Sequence, residues 1–220
     1  MTTANKTALA SMVNALDILN DKGNNSTIGL AMAEAYYYFK ATTSRASYGK
    51  VKTDFTGNTA NNPLAAALGS GSALPANPTS SSRYTPPISD GCQKNYIIFI
   101  SNGPTNENAS ARGTGETLLT AAKGSAPSII AITPNGQQAN WADEWAKFMA
   151  ENDINDTFTG TQTAITYVVE VDAGTTGQGP AMTALAKSMA VNGHGKYFSV
   201  TSGGTGQAIV DAVNAIFQEI

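Results

Sequence analysis

Apolar runs of strand length alternate with helical patterns through the second half of the chain, and this alternation constrains the fold most strongly. In order, the runs and patterns are Asn95–Ser101, Trp141–Met149, Ala164–Val171, Pro180–Val191, Lys196–Val200 and Gly206–Ile220. Strands that alternate with helices build a parallel sheet with helices on both faces. The sequence therefore predicts an α/β fold, in which Asn95–Ser101 suits a buried central strand. Ligands of such sheets bind beside the carboxyl ends of the strands, here including Ser101, Asn102 and Gly103.

The first half of the chain contains two helical patterns and a long polar stretch. The spacing of apolar residues predicts helices over Leu9–Leu19 and Ile28–Phe39, the second capped by Ser26 or Thr27. Residues 42–92 are rich in Ser, Thr, Gly and Pro and have no regular period, which indicates a long surface insertion. We expect one domain over the whole chain with this insertion inside it. Because a helical pattern begins almost at the first residue, we also expect a fragment of a longer protein.

Three shorter segments give weaker signals. Leu118–Ala122 has a helical period, and the apolar run Ser128–Ile132 predicts a minor strand. Asn140 is expected to cap the helix that follows it. The glycines of G-T-G-E-T, Gly113–Thr117, suggest a phosphate-binding loop, but this segment has no P-loop lysine and follows no strong strand. A flexible loop is therefore expected there.

Composition excludes several classes of function. Only 13% of the residues are charged and the net charge is -3, with thirteen basic residues scattered singly, so no basic stripe is available for nucleic acid. No apolar run reaches the roughly 18 residues needed for a membrane span, which predicts no direct membrane insertion. The abundance of Thr, Ser, Asn, Gly and Ala is typical of secreted or surface proteins. Cys92 is the only cysteine, so it is a free thiol or half of a bridge to another chain segment.

The loop I-S-N-G after the Asn95–Ser101 run suits two further chemistries. A hydrolase would use Ser101 as nucleophile and His194, the only histidine, as base, the histidine reaching the same rim from a turn before its strand. Against this, the sharp turn of such enzymes needs Gly-x-Ser-x-Gly, and Phe99 occupies the first glycine position. A cation site would instead collect hydroxyl, amide and carboxylate oxygens from several strand-end loops. We expect a protein that is not an enzyme.

Six segments, taken in their order along the chain, carry a resemblance to a known family. They are N-N-S-T-I-G-L-A-M-A-E-A, C-Q-K-N-Y-I-I-F-I-S-N-G, W-A-D-E-W-A-K-F, I-T-Y-V-V-E-V, G-K-Y-F-S-V and I-V-D-A-V-N-A-I-F-Q-E-I. Together they resemble the von Willebrand factor A domain, and more closely its form in type IV pilus tip proteins of the PilC/PilY family. The resemblance covers almost the whole chain, and it implies a von Willebrand factor A-like, Rossmann-like parallel sheet.

The same resemblance implies a function in adhesion or pilus biogenesis at the cell surface, without catalysis. The implied location is the pilus tip or outer membrane, reached by export through the periplasm. The implied partners are minor pilins of the pilus tip or a receptor on a host or other surface, together with a C-terminal propeller in the parent protein. Two alternatives stay open: an A-type domain of another surface protein with a working divalent-ion site, and a spacer with a purely structural role.

Proteins of this family hold a divalent ion on the sheet rim in a metal-ion-dependent adhesion site, and the resemblance assigns residues to it. The threonine of that site falls on Ser26, or on Thr27 if the alignment shifts by one residue. The aspartate falls on Asn102, because F-I-S-N-G stands where many A domains have F-I-T-D-G. A neutral amide attracts a cation less than a carboxylate does. The resemblance therefore implies a degenerate metal site.

Ser101, Gly103 and Thr175 are assigned by the same resemblance to the surrounding binding rim. The family's Asp-x-Ser-x-Ser element is missing; its nearest relic, Asp54–Asn58, lies in the insertion and is read as a turn. The simplest interpretation places the first strand and its acidic loop upstream of Met1, although a rearranged, self-sufficient unit is an alternative. We expect no tightly bound cofactor in this chain, and Mg²⁺ or Ca²⁺ only in the intact parent domain.

Overall fold

The computed structural model describes residues 7, 27–43, 45, 81–105, 107–201 and 206–220. Their helices and strands are α1 (Ile28–Phe39), β1 (Asn95–Ser101), α2 (Ala109–Lys123), a short 3-10 helix (Gln138–Asn140), α3 (Ala142–Glu151), β2 (Ala164–Val171), α4 (Gly179–Asn192), β3 (His194–Val200) and α5 (Gln207–Glu219). The expected helix at Leu9–Leu19, the site residue Ser26 and the expected turn at Asp54–Asn58 lie outside the described residues, as does most of the 42–92 insertion. None of the described helices is long and apolar enough to cross a membrane.

The chain divides into two compact units. Of the described residues, 7, 37–43, 45 and 81–89 belong to the first unit, and the others belong to the second. In the first unit, an isolated antiparallel bridge joins Thr43 to Arg83, and Nε of Arg83 donates to the carbonyl of Ala41 at 3.0 Å. The rings of Tyr38 and Tyr84 pack edge to face, 5.5 Å apart. Two distant stretches of the polar insertion are thus held against the chain that precedes it.

Three parallel strands form the sheet of the second unit, in the order β1-β2-β3. This confirms the predicted parallel sheet. Strand β2 lies in the middle and is almost fully buried, whereas β1 is half-buried and Ile100 is 49% exposed. The prediction of Asn95–Ser101 as the central strand is therefore wrong for the described sheet, because β1 pairs with a described strand along one side only.

Successive residues of β2 face opposite sides of the sheet, and those on both sides are buried. Helices therefore cover both faces. One face forms a buried cluster with α5, composed of Tyr167, Val169, Val171, Ala212 and Ile216. On the other face, α3 and α4 pack against β2 and against each other. The second unit is thus an α/β structure with a three-stranded parallel sheet flanked by helices, an arrangement compatible with a Rossmann-like fold.

An aromatic cluster packs Tyr36 of α1 against α3. Trp145 has no exposed surface, and its ring lies 5.4 Å from that of Tyr36 in α1 and 5.9 Å from that of Phe148. Aromatic pairs at such distances add about 0.5–1.5 kcal/mol to the free energy of their burial. Tyr36 of α1 therefore contributes to the core.

The expected strand at Ser128–Ile132 does not form, because side chains take the place of a strand partner. The N–H of Ile130 donates to Oε1 of Glu144 at 2.7 Å, and the N–H of Ile132 donates to Oε1 of Gln138 at 3.0 Å. An apolar run alone does not reveal such acceptors, since they come from residues further along the chain.

The segment G-T-G-E-T lies inside α2, so the expectation of a flexible loop is wrong. Asn108 caps this helix, its Oδ1 accepting the N–H of Ala111 at 2.9 Å. A Cβ added to Gly115 would lie 3.6 Å from the indole Cδ1 of Trp141, so this glycine faces a packed neighbour. Tertiary packing and the cap together outweigh the low helix propensity of glycine.

The starts of α3 and α4 lie within one residue of the predicted positions. Trp141, with a φ of 66°, occupies the N-cap position of α3 in place of the expected Asn140, whose Oδ1 accepts the N–H of Ala142 at 3.1 Å from one residue earlier. Pro180 lies in the first turn of α4, where its missing N–H leaves no helical bond unmade.

Candidate functional site

The carboxyl ends of the three strands lie along one edge of the sheet. The register aligns Ser101 of β1 with Glu170 of β2, and Glu170 with Ser199 of β3. The loops that follow β1 and β2 leave this edge, and we name their described residues, together with Ser101 at the end of β1, the carboxyl rim: 101–105, 107–108 and 172–178. Ser101, Asn102, Gly103 and Thr175 all belong to it, so the sheet brings the predicted rim residues to one edge.

Ser101 holds a tight turn at the start of the first rim loop. Its Oγ donates to the carbonyl of Gly103 at 3.1 Å and also accepts the N–H of Gly103 at 3.4 Å. Asn102 lies between them and is exposed, and a Cβ at Gly103 would meet no atom within 4 Å. The hydroxyl of Ser101 is therefore used within the turn, and Asn102 is the side chain that the turn presents.

The rest of this loop is anchored in the protein interior. Oγ1 of Thr105 donates to Oε1 of Gln137 at 2.7 Å, and Nε2 of Gln137 donates to the carbonyl of Thr105 at 3.3 Å. Both residues are buried. A reciprocal pair of buried hydrogen bonds fixes the loop behind Asn102, so the turn is presented from a rigid base.

The start of α1 lies next to the same loop. Thr27, half-buried, precedes the helix and accepts the N–H of Ala31 at its carbonyl. A Cβ at Gly29 would overlap the carbonyl oxygen of Asn140 and would lie 3.7 Å from Oε1 of Glu107. Only glycine permits this close approach. The start of α1 thus adjoins the first rim loop through Gly29, two residues after Thr27, while Ser26 lies outside the described residues.

Glu107 is a buried acid of this loop that sequence reasoning missed. It is 5% exposed, and neither carboxylate oxygen has a hydrogen-bond partner among the described residues. Burial raises the pKa of Glu107 to about 7, and the positive charge of Arg112 opposes this rise. An acid within S-N-G-P-T-N-E-N is visible in the sequence, but its burial depends on α1, which lies far away along the chain.

Thr175 lies in the second rim loop and is exposed. The loop is narrow at its base, because a Cβ at Gly179 would overlap the backbone of Gly174. Gly179 also donates its N–H to the carbonyl of Thr176 at 3.0 Å. Thr175 and Asn102 lie at the same edge of the sheet, and no hydrogen bond joins them in the described structure.

Glu170 is a second buried acid, one residue before the end of β2. Its Oε1 accepts a hydrogen bond from Oγ1 of Thr183 at 3.0 Å, and its Oε2 accepts one from the hydroxyl of Tyr197 at 2.6 Å. Burial, followed by the bond to Glu170, raises the pKa of the Tyr197 hydroxyl to about 12. Both carboxylate oxygens are therefore satisfied by hydroxyl groups from α4 and β3, which favours a structural role for this acid.

The two residues of the hydrolase hypothesis lie at opposite ends of the sheet. His194 is the first residue of β3 and pairs with Thr166, whereas Ser101 pairs with Glu170. Four residues of β2 separate these positions, about 13 Å at roughly 3.3 Å per residue. Nε2 of His194 instead lies 3.7 Å from Oε1 of Glu151. The expectation that His194 reaches the same rim from a turn is thus wrong.

The described residues do not offer the ligands of a tight divalent-ion site. They contain no group of three or more His, Cys, Asp or Glu side chains placed to hold a metal ion. Asn102 offers a neutral amide, and the hydroxyl of Ser101 is engaged with Gly103. A divalent ion of the Mg²⁺ or Ca²⁺ type needs six or more oxygen ligands, usually including carboxylates. A neutral amide and an engaged hydroxyl do not by themselves fit such an ion.

Cys92 is exposed and carries a free thiol. Its N–H donates to Oδ1 of Asp90 at 2.8 Å, which orders the turn before β1.

The fold defines the class of this protein as α/β, with a parallel sheet flanked by helices and a polar rim at the carboxyl ends of its strands. No family of known proteins, no curated protein and no solved structure matches the chain. The function therefore has to be argued from the rim and from the sequence motifs.

Proposed function

We propose that this chain is a von Willebrand factor A-like module of a type IV pilus tip protein of the PilC/PilY type. It acts without catalysis in adhesion or pilus assembly, and its metal site is degenerate. The observation that carries the proposal is the Ser101–Gly103 turn at the end of β1, which presents Asn102 in the same loop whose Glu107 adjoins the start of α1. Strand-end turns of this kind are where open α/β sheets bind their ligands.

The chemistry of the rim supports recognition more than catalysis. Asn102 and Thr175 are exposed, neutral hydrogen-bonding side chains, and Thr105 and Gln137 hold the first loop rigidly. A rigid polar surface of this kind can bind a partner protein with little loss of conformational entropy. Minor pilins of the pilus tip or a surface receptor are the proposed partners, and the pilus tip is the proposed location.

A test of the degenerate metal site is calorimetric titration of the chain with Mg²⁺, Ca²⁺ and Mn²⁺. We expect no binding in the micromolar range for the unmodified chain. The matched variant Asn102→Asp restores the acidic side chain that the family carries at this position, and it is expected to increase any weak affinity. Micromolar binding by the unmodified chain would contradict a degenerate site.

The adhesion role is tested in piliated cells that carry the parent gene. The double variant Asn102→Ala and Thr175→Ala is expected to reduce surface attachment, or pilus number, while the protein remains at normal abundance. Thr117→Ala, an exposed change on α2 outside the rim, serves as the control. If the double variant and the control behave alike, the rim has no role in adhesion or assembly.

A further inference from the structure

The stretch 126–132 runs without a turn or bend, yet it joins no sheet in the part of the chain that the structure describes. Its N–H groups at Ile130 and Ile132 donate to the side chains of Glu144 and Gln138. N–H groups two residues apart point the same way in an extended chain. This stretch, which we name the 126–132 edge, is therefore bonded on one side to side chains instead of to a neighbouring strand.

The outer side of the 126–132 edge is open. In an extended chain, the N–H groups of Ile129 and Ala131 point away from those of Ile130 and Ile132. Neither makes a hydrogen bond within the described ranges, and both residues are exposed, Ile129 at 49%. Unpaired backbone groups along a strand provide a template for an added strand from another chain.

A cavity of about 350 Å³ adjoins this edge, between the end of α2 and α3. Leu119, Ile130 and Phe148 form its apolar wall. The volume lies at the small end of the range of about 300–1,000 Å³ that ligand sites occupy. A cavity of this size beside an open strand edge suits a side chain of a bound peptide.

The charges around the cavity favour an acidic partner. Lys123 and Lys147 both line it. Lys147 is paired with Glu151 at 2.8 Å, whereas Lys123 has no ion-pair partner among the residues described. The remaining acid of the wall, Glu144, has its pKa raised to about 8, chiefly by burial, and so contributes little negative charge at neutral pH. Charge complementarity of this kind selects the partner and its orientation.

This cavity is separate from the carboxyl rim. Oε1 of Glu151, a lining residue, lies 3.7 Å from Nε2 of His194, the first residue of β3. That end of the cavity therefore lies near the amino ends of the strands, at the edge of the sheet opposite to Ser101 and Asn102.

We propose that the 126–132 edge and its cavity bind an extended, acidic peptide segment of another protein. The peptide adds to the edge as a β-strand, places an apolar side chain against Leu119 and Phe148, and directs a carboxylate to Lys123. The site goes beyond the proposed function, because it does not use the rim and does not depend on the pilus assignment.

The pentapeptide Val-Thr-Glu-Thr-Val, which has a central glutamate, is a direct probe of this site. Its binding to the full chain is measured by fluorescence anisotropy. Lys123→Glu is expected to weaken binding by about tenfold or more, while the exposed control Lys94→Glu leaves it unchanged. The circular dichroism spectra of both variants verify that they fold. No binding by the unmodified chain, or equal loss in both variants, would overturn the proposal.

Backbone methylation of the peptide tests strand addition without any change to the protein. Methylating alternate N–H groups on the side that faces the 126–132 edge is expected to abolish binding, whereas methylating the other set leaves it intact, because a strand uses one side for each partner. Amide chemical shifts of Ile129 and Ala131 are expected to change on binding. Equal effects of the two methylated peptides, shifts confined to residues 101–105, or self-association of the chain at this edge would contradict the proposal.

Discussion

Two buried glutamates of the second unit are held in different ways. Glu170 in β2 is 1% exposed, and both of its oxygens accept hydrogen bonds, from Thr183 and from Tyr197. Glu144 in α3 is 5% exposed and accepts one bond, from the N–H of Ile130. Its other oxygen has no partner among the described residues except the neighbouring carboxyl of Asp143, with which it can share a proton. The two sites therefore differ mainly in the number of hydrogen-bond donors around the carboxyl, and only slightly in how deeply the carboxyl is buried.

The largest expected effect is at the better-bonded site. Glu170→Ala leaves the hydroxyls of Thr183 and Tyr197 without their acceptor and creates a cavity beside β2, so the free energy of unfolding should fall by about 3 kcal/mol. Urea denaturation measures the loss. Glu170→Gln, which keeps an acceptor of similar size, is the matched control and should lose clearly less. Equal losses in the two variants would mean that the hydrogen bonds contribute little to the site.

At the other site, the expected effect depends on pH. Burial, followed by the hydrogen bond and charge of Asp143, raises the pKa of Glu144 from 4.5 to about 8. Between these values the folded state keeps a proton that the unfolded state has lost, so this group's contribution to stability decreases as the pH rises from 4.5 to about 8. Glu144→Gln imitates the protonated acid and removes the decrease. The variant's gain in free energy of unfolding over the unmodified protein should therefore be larger at pH 8 than at pH 4.5, by on the order of 2 kcal/mol.

Ser188 provides a check on the same pair, because its hydroxyl donates to Oδ2 of Asp143. Ser188→Ala leaves the Glu144 carboxyl in place, so its unfolding free energy should still decrease as the pH rises from 4.5 to about 8. A pH slope that survives in Glu144→Gln would contradict the assignment to this carboxyl.

Glu107 extends the comparison to an acid without any hydrogen bond. Its pKa is raised from 4.5 to about 7 by burial, against the opposing charge of Arg112. Its stability contribution should therefore decrease as the pH rises from 4.5 to about 7. Glu107→Gln is expected to remove a decrease of about 1 kcal/mol, smaller than that at Glu144 because the pKa shift is smaller. Chemical unfolding at pH 5 and pH 7 measures it, and an unchanged difference between the two pH values would show that Glu107 is hydrated.

The sequence predicted the elements well where the pattern was local. The bounds of Ala164–Val171 follow from a run that is apolar apart from Thr166 and Glu170, and those of Ile28–Phe39 from helical spacing and a cap. It failed at Gly113–Thr117 and Ser128–Ile132, where Trp141, Glu144 and Gln138 supply packing or acceptors from elsewhere in the chain. Such contacts are set by tertiary structure, which no local window contains.

The candidate site shows the same division. Ser101, Asn102 and Gly103 were placed at the sheet edge by the rule that ligands bind beside strand ends, whereas Thr175 was assigned by the family resemblance. In the structure, all four lie at the end of β1 or in the loops that follow β1 and β2. Glu107 and Glu170 were missed, because an acid in a loop or strand reveals neither its burial nor its partners. The family resemblance and the pilus function stay predictions that the rim makes testable.

The smallest expected effect comes from removing only one of the two hydrogen bonds that Glu170 accepts. Tyr197→Phe removes the hydroxyl that donates to Oε2 at 2.6 Å but keeps the ring, over which Nζ of Lys187 lies at 5.5 Å. Thr183 still donates to the other oxygen, so the loss of unfolding free energy should be about 1 kcal/mol. Thr183→Ala and the double variant complete a double-mutant cycle. Because both hydroxyls bind one carboxyl, the double variant should lose more than the sum of the single losses. Strict additivity would mean that the two donors act independently, and that the count of donors does not explain why Glu170 and Glu144 differ.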